Sequence, residues 1–546
     1  AEESQCLQCS GQWLAPALEW QPVNGGTNQA CRGDHSGDSR DSYYFVRSAA
    51  DDDDCKKMCI DMLSTGCCNG VEYNPTSGRC ELWLKNVKAS SSVSGYNCYR
   101  LHPQQNCPMP DGVTRVTVDE SVAYQTMRGF GAAMTQSSAH VLQNLKSRNQ
   151  DLYNEVMNRL FGLGGNAAGI SLVRFPIGSC DFSRTRTTYD DTLNDWDLSE
   201  FRLDADTEQI VATLMDAKAI NSGLLLMGTP WSPPAWLKVQ GTLDGDSNAN
   251  TLKDSEQVYN TYADYFLKVK QTFQQRGLPL DYLTLQNEPL FAPHYLGMYL
   301  ISSNYARLGG KVKDRIGNSP KLLAYDHNWD HPEYPQQVIN AVPSFDGTAF
   351  HCYGGNMASA NQQLHTAFPD KDIFMTECTG GYPNNHCDID KGNDGFGYNH
   401  EWDMNNLFLN NNLNWGAAGI KWNMVLDESC GPVLSGVDYR WGRPLVSIPS
   451  WASNINQIKF NQDFWTVAHM ARFVRPGAKR VKVVETTPGV SSLIGAFKDD
   501  AAGTVTLMVL NKDHGDAMDL EVTYADQVLT YSVPAWGTAV FSWPSS

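Results

Sequence analysis

Two glutamates stand where covalent and acid–base chemistry on an acetal could be carried out. Glu288 lies in Gln286-Asn-Glu-Pro289 and Glu377 in Thr376-Glu-Cys378, and each closes a short β-rich run. Paired carboxyl groups can cleave a glycosidic bond in two displacements. One attacks the anomeric carbon while the other protonates the leaving oxygen and later activates water, and retention of configuration requires a separation of about 5 to 5.5 Å. An arbitrary glutamate is a solvated loop acid, but no simple surface role calls for two of them at strand ends. Cys378, next to Glu377, has no identifiable His and Asn pair to make it a thiol nucleophile.

The elements that must position these acids can be read from periodicity. Between 129 and 470, short β-rich runs alternate with longer helical patterns, as repeated βα units with a parallel sheet require. Eight runs can be counted, at 128–133, 169–175, 223–229, 282–287, 321–326, 348–353, 372–377 and 419–425. Eight parallel strands predict a (β/α)8 barrel, whose active site lies at the C-terminal strand ends. The residues there are Arg174, Asp181, Trp231, Asn287, Glu288, Asp326 to Asn328, His351, Tyr353, Glu377, Trp422 and Asn423. Tyr262, Tyr265, Phe266, Val269 and Phe273 recur at helical spacing and are read as a core face. Beyond 470, alternation without long helices predicts a β-sandwich, which the strand-like segment 114–118 could complete.

Composition narrows the partners. The 546 residues hold 42 Lys plus Arg against 60 Asp plus Glu, a net charge of −18 that repels phosphate backbones and anionic bilayers. Nucleic acid is therefore not expected as a partner. No apolar run approaches the roughly 20 residues of a membrane span. Ten of the 15 cysteines precede residue 108 (Cys6, Cys9, Cys31, Cys55, Cys59, Cys67, Cys68, Cys80, Cys98 and Cys107), a density that suggests disulfides and an oxidising compartment. The sequence starts at Ala1 without a signal-like segment, as a processed extracellular protein would, and contains no permitted N-glycosylation sequon. Cys6-x-x-Cys9 lacks the second ligand pair of a zinc site, and the acidic run Asp51 to Asp54 reads as a solvated turn. No metal and no cofactor are expected. Cys180, Cys352 and Cys378 are expected to be buried and free, with Cys387 and Cys430 available for one bond between loops.

Three domains are expected: a Cys-rich module at 1–107, a β-sandwich from 112–128 plus 470–546, and a barrel at 129–469. The stretch from Cys55 to Trp83 resembles a PAN/apple module, a helix stapled by cysteines onto a small sheet. That resemblance implies an accessory that binds carbohydrate or protein.

The barrel motifs carry a more specific resemblance. Gly129-Phe-Gly-Ala-Ala-Met-Thr135, Arg174-Phe-Pro-Ile-Gly-Ser-Cys-Asp-Phe-Ser183, Thr229-Pro-Trp-Ser-Pro-Pro-Ala-Trp-Leu-Lys238, Gln286-Asn-Glu-Pro289, Phe350-His-Cys-Tyr353, Thr376-Glu-Cys378 and Lys421-Trp-Asn-Met-Val-Leu426 resemble glycoside hydrolase family 30. The resemblance spans 112 to 546 and implies a barrel with a β-sandwich built from both chain ends. It implies that Glu377 is the nucleophile and Glu288 the acid/base. Arg174 and Tyr353 would keep Glu377 ionised, and Asn287 would bind the 2-hydroxyl. Asp181 and Trp231 would hold the outer hydroxyls of the sugar, with His351 and Trp422 completing its walls. Core aromatics for the two tryptophans and a structural hydrogen-bonder for His351 are the plainer alternatives. Ala324-Tyr-Asp-His-Asn-Trp-Asp330 is more similar to endo-β-1,6-glucanases than to glucosylceramidases. The expectation is a secreted retaining hydrolase of β-glucan. A glucosylceramidase-type β-glucosidase and a non-catalytic carbohydrate-binding or adhesion protein are the alternatives.

Overall fold

The computed structural model describes residues 19–40, 43–63, 67–102, 113–379, 395–437, 442–485, 492–525 and 527–545. Cys6, Cys9, Cys107, Cys387 and most of the expected boundary at 101–112 lie outside them. The chain divides into two compact units, one of 1–117 with 484–492 and 513–535, the other of 118–483 with 493–512 and 536–546.

In the first unit, five antiparallel strands lie in the order Glu19–Arg32, Ala89–His102, Gly70–Asn74, Arg79–Trp83, Tyr44–Ser48. Helix Asp52–Met62 packs on one face, where Val71, Tyr73 and Leu82 are buried. The acidic run is the start of this helix and not a turn. Asp51 is its N-cap, accepting from Asp54 N, and Asp52 to Asp54 fill the first turn, where the positive end of the helix dipole favours carboxylates. Disulfides Cys55–Cys80 and Cys59–Cys68 tie the helix down, and Cys31–Cys98 joins the two long strands. Such cross-links supplement a core this small. Both chain ends contribute β structure, since Val113–Thr126 runs parallel to Met518–Tyr524, which pairs with Gln527–Val533.

In the second unit, eight parallel strands close into a barrel: β1 (Gly129–Ala133), β2 (Leu172–Ile177), β3 (Leu225–Pro230), β4 (Tyr282–Leu283), β5 (Lys321–Asn328), β6 (Gly347–His351), β7 (Asp372–Glu377) and β8 (Gly416–Lys421). Leu172, Met227, Tyr282, Leu323, Phe374 and Ile420 fill the interior, while Val173 and Phe175 face the surrounding helices. Close strand contact requires glycine at Gly131 and Gly347, where an added Cβ would lie 2.0 Å from Leu172 O and 2.2 Å from Asp372 O. The expected helical stripe is the buried face of helix Glu256–Gln275, capped by Ser255.

Two register shifts matter at the mouth, between Tyr325 and His327 in β5 and between Phe350 and His351 on β6. Each is a local irregularity of the kind that re-aims a side chain. The cysteine expectation is corrected here: Cys180 is free and buried, but Cys352 and Cys378 are bonded to each other. Barrel closure makes β6 and β7 neighbours, which brings together two thiols 26 residues apart in sequence.

Candidate active site

Arg174 organises the site. It projects from β2 among the inward-facing residues and is wholly buried. Its Nη1 donates to Glu377 Oε2 at 2.7 Å, and its Nη2 donates to Asn287 Oδ1 at 2.6 Å and Asp326 Oδ2 at 3.0 Å. The guanidinium lies 4.9 Å from the ring of Trp231 and 5.8 Å from that of Trp422, which stack on each other. A cation against aromatic faces is attracted to their quadrupoles.

Asp326 is the second hub. It is fully buried at the β5 shift and has φ +78°. Thr284 Oγ1 donates to its Oδ2 at 2.7 Å, Thr376 Oγ1 donates to its Oδ1 at 2.6 Å, and His351 Nε2 lies 3.0 Å from Oδ1. Burial opposes ionisation, but Arg174, His351 and Thr376 prevail and hold its carboxyl far below the usual range. The other ring nitrogen of His351 lies 3.3 Å from Glu288 Oε1. Burial also works against charge on His351. The field of Glu377 and the bonds to Asp326 and Glu288 outweigh it and push its pKa up to about 9.

Glu288 follows β4 with φ +48°, a conformation rare for a side-chain-bearing residue, and its amide is held by Asp326 O at 3.0 Å. Glu377 ends β7, with Tyr353 Oη donating to its Oε1 at 3.0 Å. Arg174, Asp326 and His351 have no exposed side chain, whereas Glu288 and Glu377 are 14% and 9% exposed. The two glutamates are thus the cluster's carboxyl groups open to the pocket. An oxygen of each and a nitrogen of His351 all lie within 4.8 Å of one another. Among the described residues this is the one set spaced to hold a metal ion, but a divalent cation there would face the guanidinium already bonded to Glu377.

Asp181 lies beyond β2 beside Phe182, whose ring meets Trp422 edge-on. Burial, with the charge of Glu377 added, pushes its pKa up to about 8. Burial raises Glu377 too, and the charge of Glu288 adds to it. At Glu288 burial is overcome by the His351 hydrogen bond and the charges of His327 and His351, so its carboxyl falls below the ordinary value. These influences raise Glu377 and lower Glu288, opposite to the order expected from sequence.

All nine residues singled out from sequence, Arg174, Asp181, Trp231, Asn287, Glu288, His351, Tyr353, Glu377 and Trp422, converge on this mouth. Thr284 and Thr376 are partners in the site that the sequence does not single out, and Asp326 and His327 are strand-end residues to which it assigns no role. His327 is buried, with Nε2 4.0 Å from Glu288 Oε1. Asp326 and His327 had been noted as strand-closing, but the register shift that turns Asp326 inward leaves no mark in a hydrophobic pattern.

Residues 127–474 match the model of the glycosyl hydrolase family 30 TIM-barrel domain. An endo-1,6-beta-D-glucanase of Trichoderma harzianum is 29% identical over 75% of this chain and 80% of its own. A lysosomal acid glucosylceramidase of Mus musculus is 26% identical over 76% and 80%. A solved endo-beta1,6-glucanase structure superposes with a TM-score of 0.69 at 25% identity, covering 88% of this chain and 99% of its own. The chain belongs to glycosyl hydrolase family 30.

Proposed function

We propose that the protein is a retaining endo-β-1,6-glucanase acting outside the cell, with Glu377 as nucleophile and Glu288 as acid/base. The observation that carries the mechanism is the approach of the two carboxyl groups to within 4.8 Å across the barrel mouth, which leaves no room for the water an inverting enzyme places between them. The linkage rests on similarity to the Trichoderma enzyme and to the solved glucanase. The disulfides support the extracellular setting.

In this mechanism Arg174 and Tyr353 fix both oxygens of Glu377 for in-line attack. Asn287, oriented by Arg174, faces the sugar's 2-hydroxyl, while Trp231, Trp422 and Asp181 wall the ring. Glu288 must hold a proton when the glycosidic oxygen arrives. His351 Nδ1 lies 3.3 Å from Glu288 Oε1 and 4.0 Å from Glu377 Oε1. Passing its proton to Glu288 while taking the one that burial favours on Glu377 leaves Glu377 ionised, His351 still charged and Glu288 armed as acid. The Cys-rich region 1–107 is read as an accessory module that binds carbohydrate or protein, separate from the barrel at 129–469 and the sandwich of 112–128 plus 470–546.

Product analysis on β-1,6-glucan, β-1,3-glucan and glucosylceramide tests this reading. Gentio-oligosaccharides are expected from the first alone, and Glu377→Gln is expected to lower kcat by about 10⁴-fold or more. Glucose released from the lipid alone would move the protein to glucosylceramide hydrolysis, and activity retained by Glu377→Gln would overturn the nucleophile.

A further inference from the structure

Cys352 sits between His351 and Tyr353, and Cys378 directly follows Glu377. Their disulfide therefore joins the two backbone segments that carry three residues of the site. The β6–β7 register ends at His351↔Glu377, after the shift at Phe350. Tyr353 lies two residues beyond that last pair, is 45% exposed, and is held through its amide by Asn328 Oδ1 at 3.1 Å. On the other side, Trp422 N donates to Cys378 O at 2.8 Å. The cross-link thus continues, past the end of the ladder, the stitching that hydrogen bonds provide below it.

We propose that the Cys352–Cys378 disulfide is a positioning device for the reaction, holding the Tyr353 phenol on the Glu377 carboxylate. This rests on Glu377 being the nucleophile. Tyr353 brings one of the two donors that Glu377 receives from Tyr353 and Arg174. A donor held in place favours the charged, attacking form and keeps the oxygen aimed. Without the cross-link, a half-exposed tyrosine beyond its strand would spend only part of its time on that oxygen.

The test is a double-mutant cycle between the cross-link and the phenol. Folded C352A/C378A is expected to lose about 10-fold in kcat with KM changed less than about threefold, and the acid limb of its pH profile should move upward. Tyr353→Phe should do the same, and Tyr353→Phe added to C352A/C378A should lower kcat little further. Wild-type kcat and pH profile in C352A/C378A, or fully multiplicative effects, would overturn the proposal. If C352A/C378A does not fold, the wild-type enzyme is titrated with a phosphine, which gives up an electron pair and becomes the oxide while water supplies two protons to the new thiols. Loss of kcat must then track reduction of this pair, mapped by mass spectrometry, and activity persisting with the pair reduced would sink the idea. Glu377→Gln keeps the two questions apart, because it abolishes turnover on the nucleophile reading whatever the cross-link does.

Discussion

Among the described residues of the barrel unit, two buried charge clusters are built from the same kinds of residue, and one of them opens at the barrel mouth. The closed cluster joins Lys421 at the end of β8, Asp403 on helix Gly395–Asn406, Asp463 on helix Gln462–Phe473, and Arg443. Lys421 Nζ reaches Asp403 at 2.8 Å and Asp463 at 2.5 Å, Arg443 pairs with Asp463, and Gln462 bridges Arg443 to Asp403. Two cations meet two carboxylates, and no side chain among the four is more than 1% exposed. At the mouth, two cations, Arg174 and His351, face four carboxyl groups, Asp181, Asp326, Glu288 and Glu377. The excess cannot all be ionised in so dry a place, so protons must be held and can be moved. A balanced cluster holds elements together, whereas an unbalanced one can do acid–base work.

Replacing the cation at each centre should separate these roles. Arg174→Met removes three charge-assisted bonds at the mouth, and kcat is expected to fall by about 10³- to 10⁴-fold, equivalent to about 4 to 5.5 kcal/mol of barrier. Lys421→Met leaves Asp403 and Asp463 short of a cation and is expected to cost about 3 to 5 kcal/mol of stability, read as a lower Tm. Turnover per folded molecule should stay near wild type. If Lys421→Met instead lowers kcat in fully folded protein, the closed cluster also reaches into the chemistry and the contrast fails.

Sequence made the open cluster far more legible than the closed one. Strand-end polar residues stand out against apolar runs, so Glu288, Glu377, Arg174 and His351 could be found from period and place. Lys421 precedes Trp422 on the same strand end, but alternation sends it outward to helices whose approach no local pattern encodes. The same limit hid the Cys352–Cys378 bond, since pairing depends on which strands barrel closure makes adjacent. Asp326 stands at a strand end in the sequence, but its central role stayed hidden because its inward turn depends on a register shift and a positive φ. Strand Gln527–Val533 alternates from Leu529 to Val533 yet is exposed along nearly its whole length, so its alternation marks no buried face.

The comparison also sets how stability should depend on pH, where groups of the open cluster act in opposite directions. The folded-state pKa of His351 is up at about 9, against an ordinary value near 6.5. Its contribution is therefore complete below about pH 6.5 and disappears as pH rises to about 9. That span corresponds to about 3 kcal/mol. Asp181, raised to about 8, acts in the same sense, because a carboxyl whose folded pKa is elevated favours the folded state more at low pH. Asp326 is depressed, so its contribution is present above about pH 4 and lost as pH falls below it. The three together place maximal stability at about pH 4, where Asp326 is fully ionised and Asp181 has not begun to cost stability. Thermal unfolding from pH 4 to 9 should show Tm falling throughout, through Asp181 up to about pH 8 and through His351 from about pH 6.5 to 9, and Asp181→Asn should flatten the lower part of that fall while reducing activity. A Tm that rose toward pH 9 would mean that His351 is not held charged by the surrounding carboxylates. The imbalance between two cations and four carboxyl groups would then not be what sets the protonation of this site.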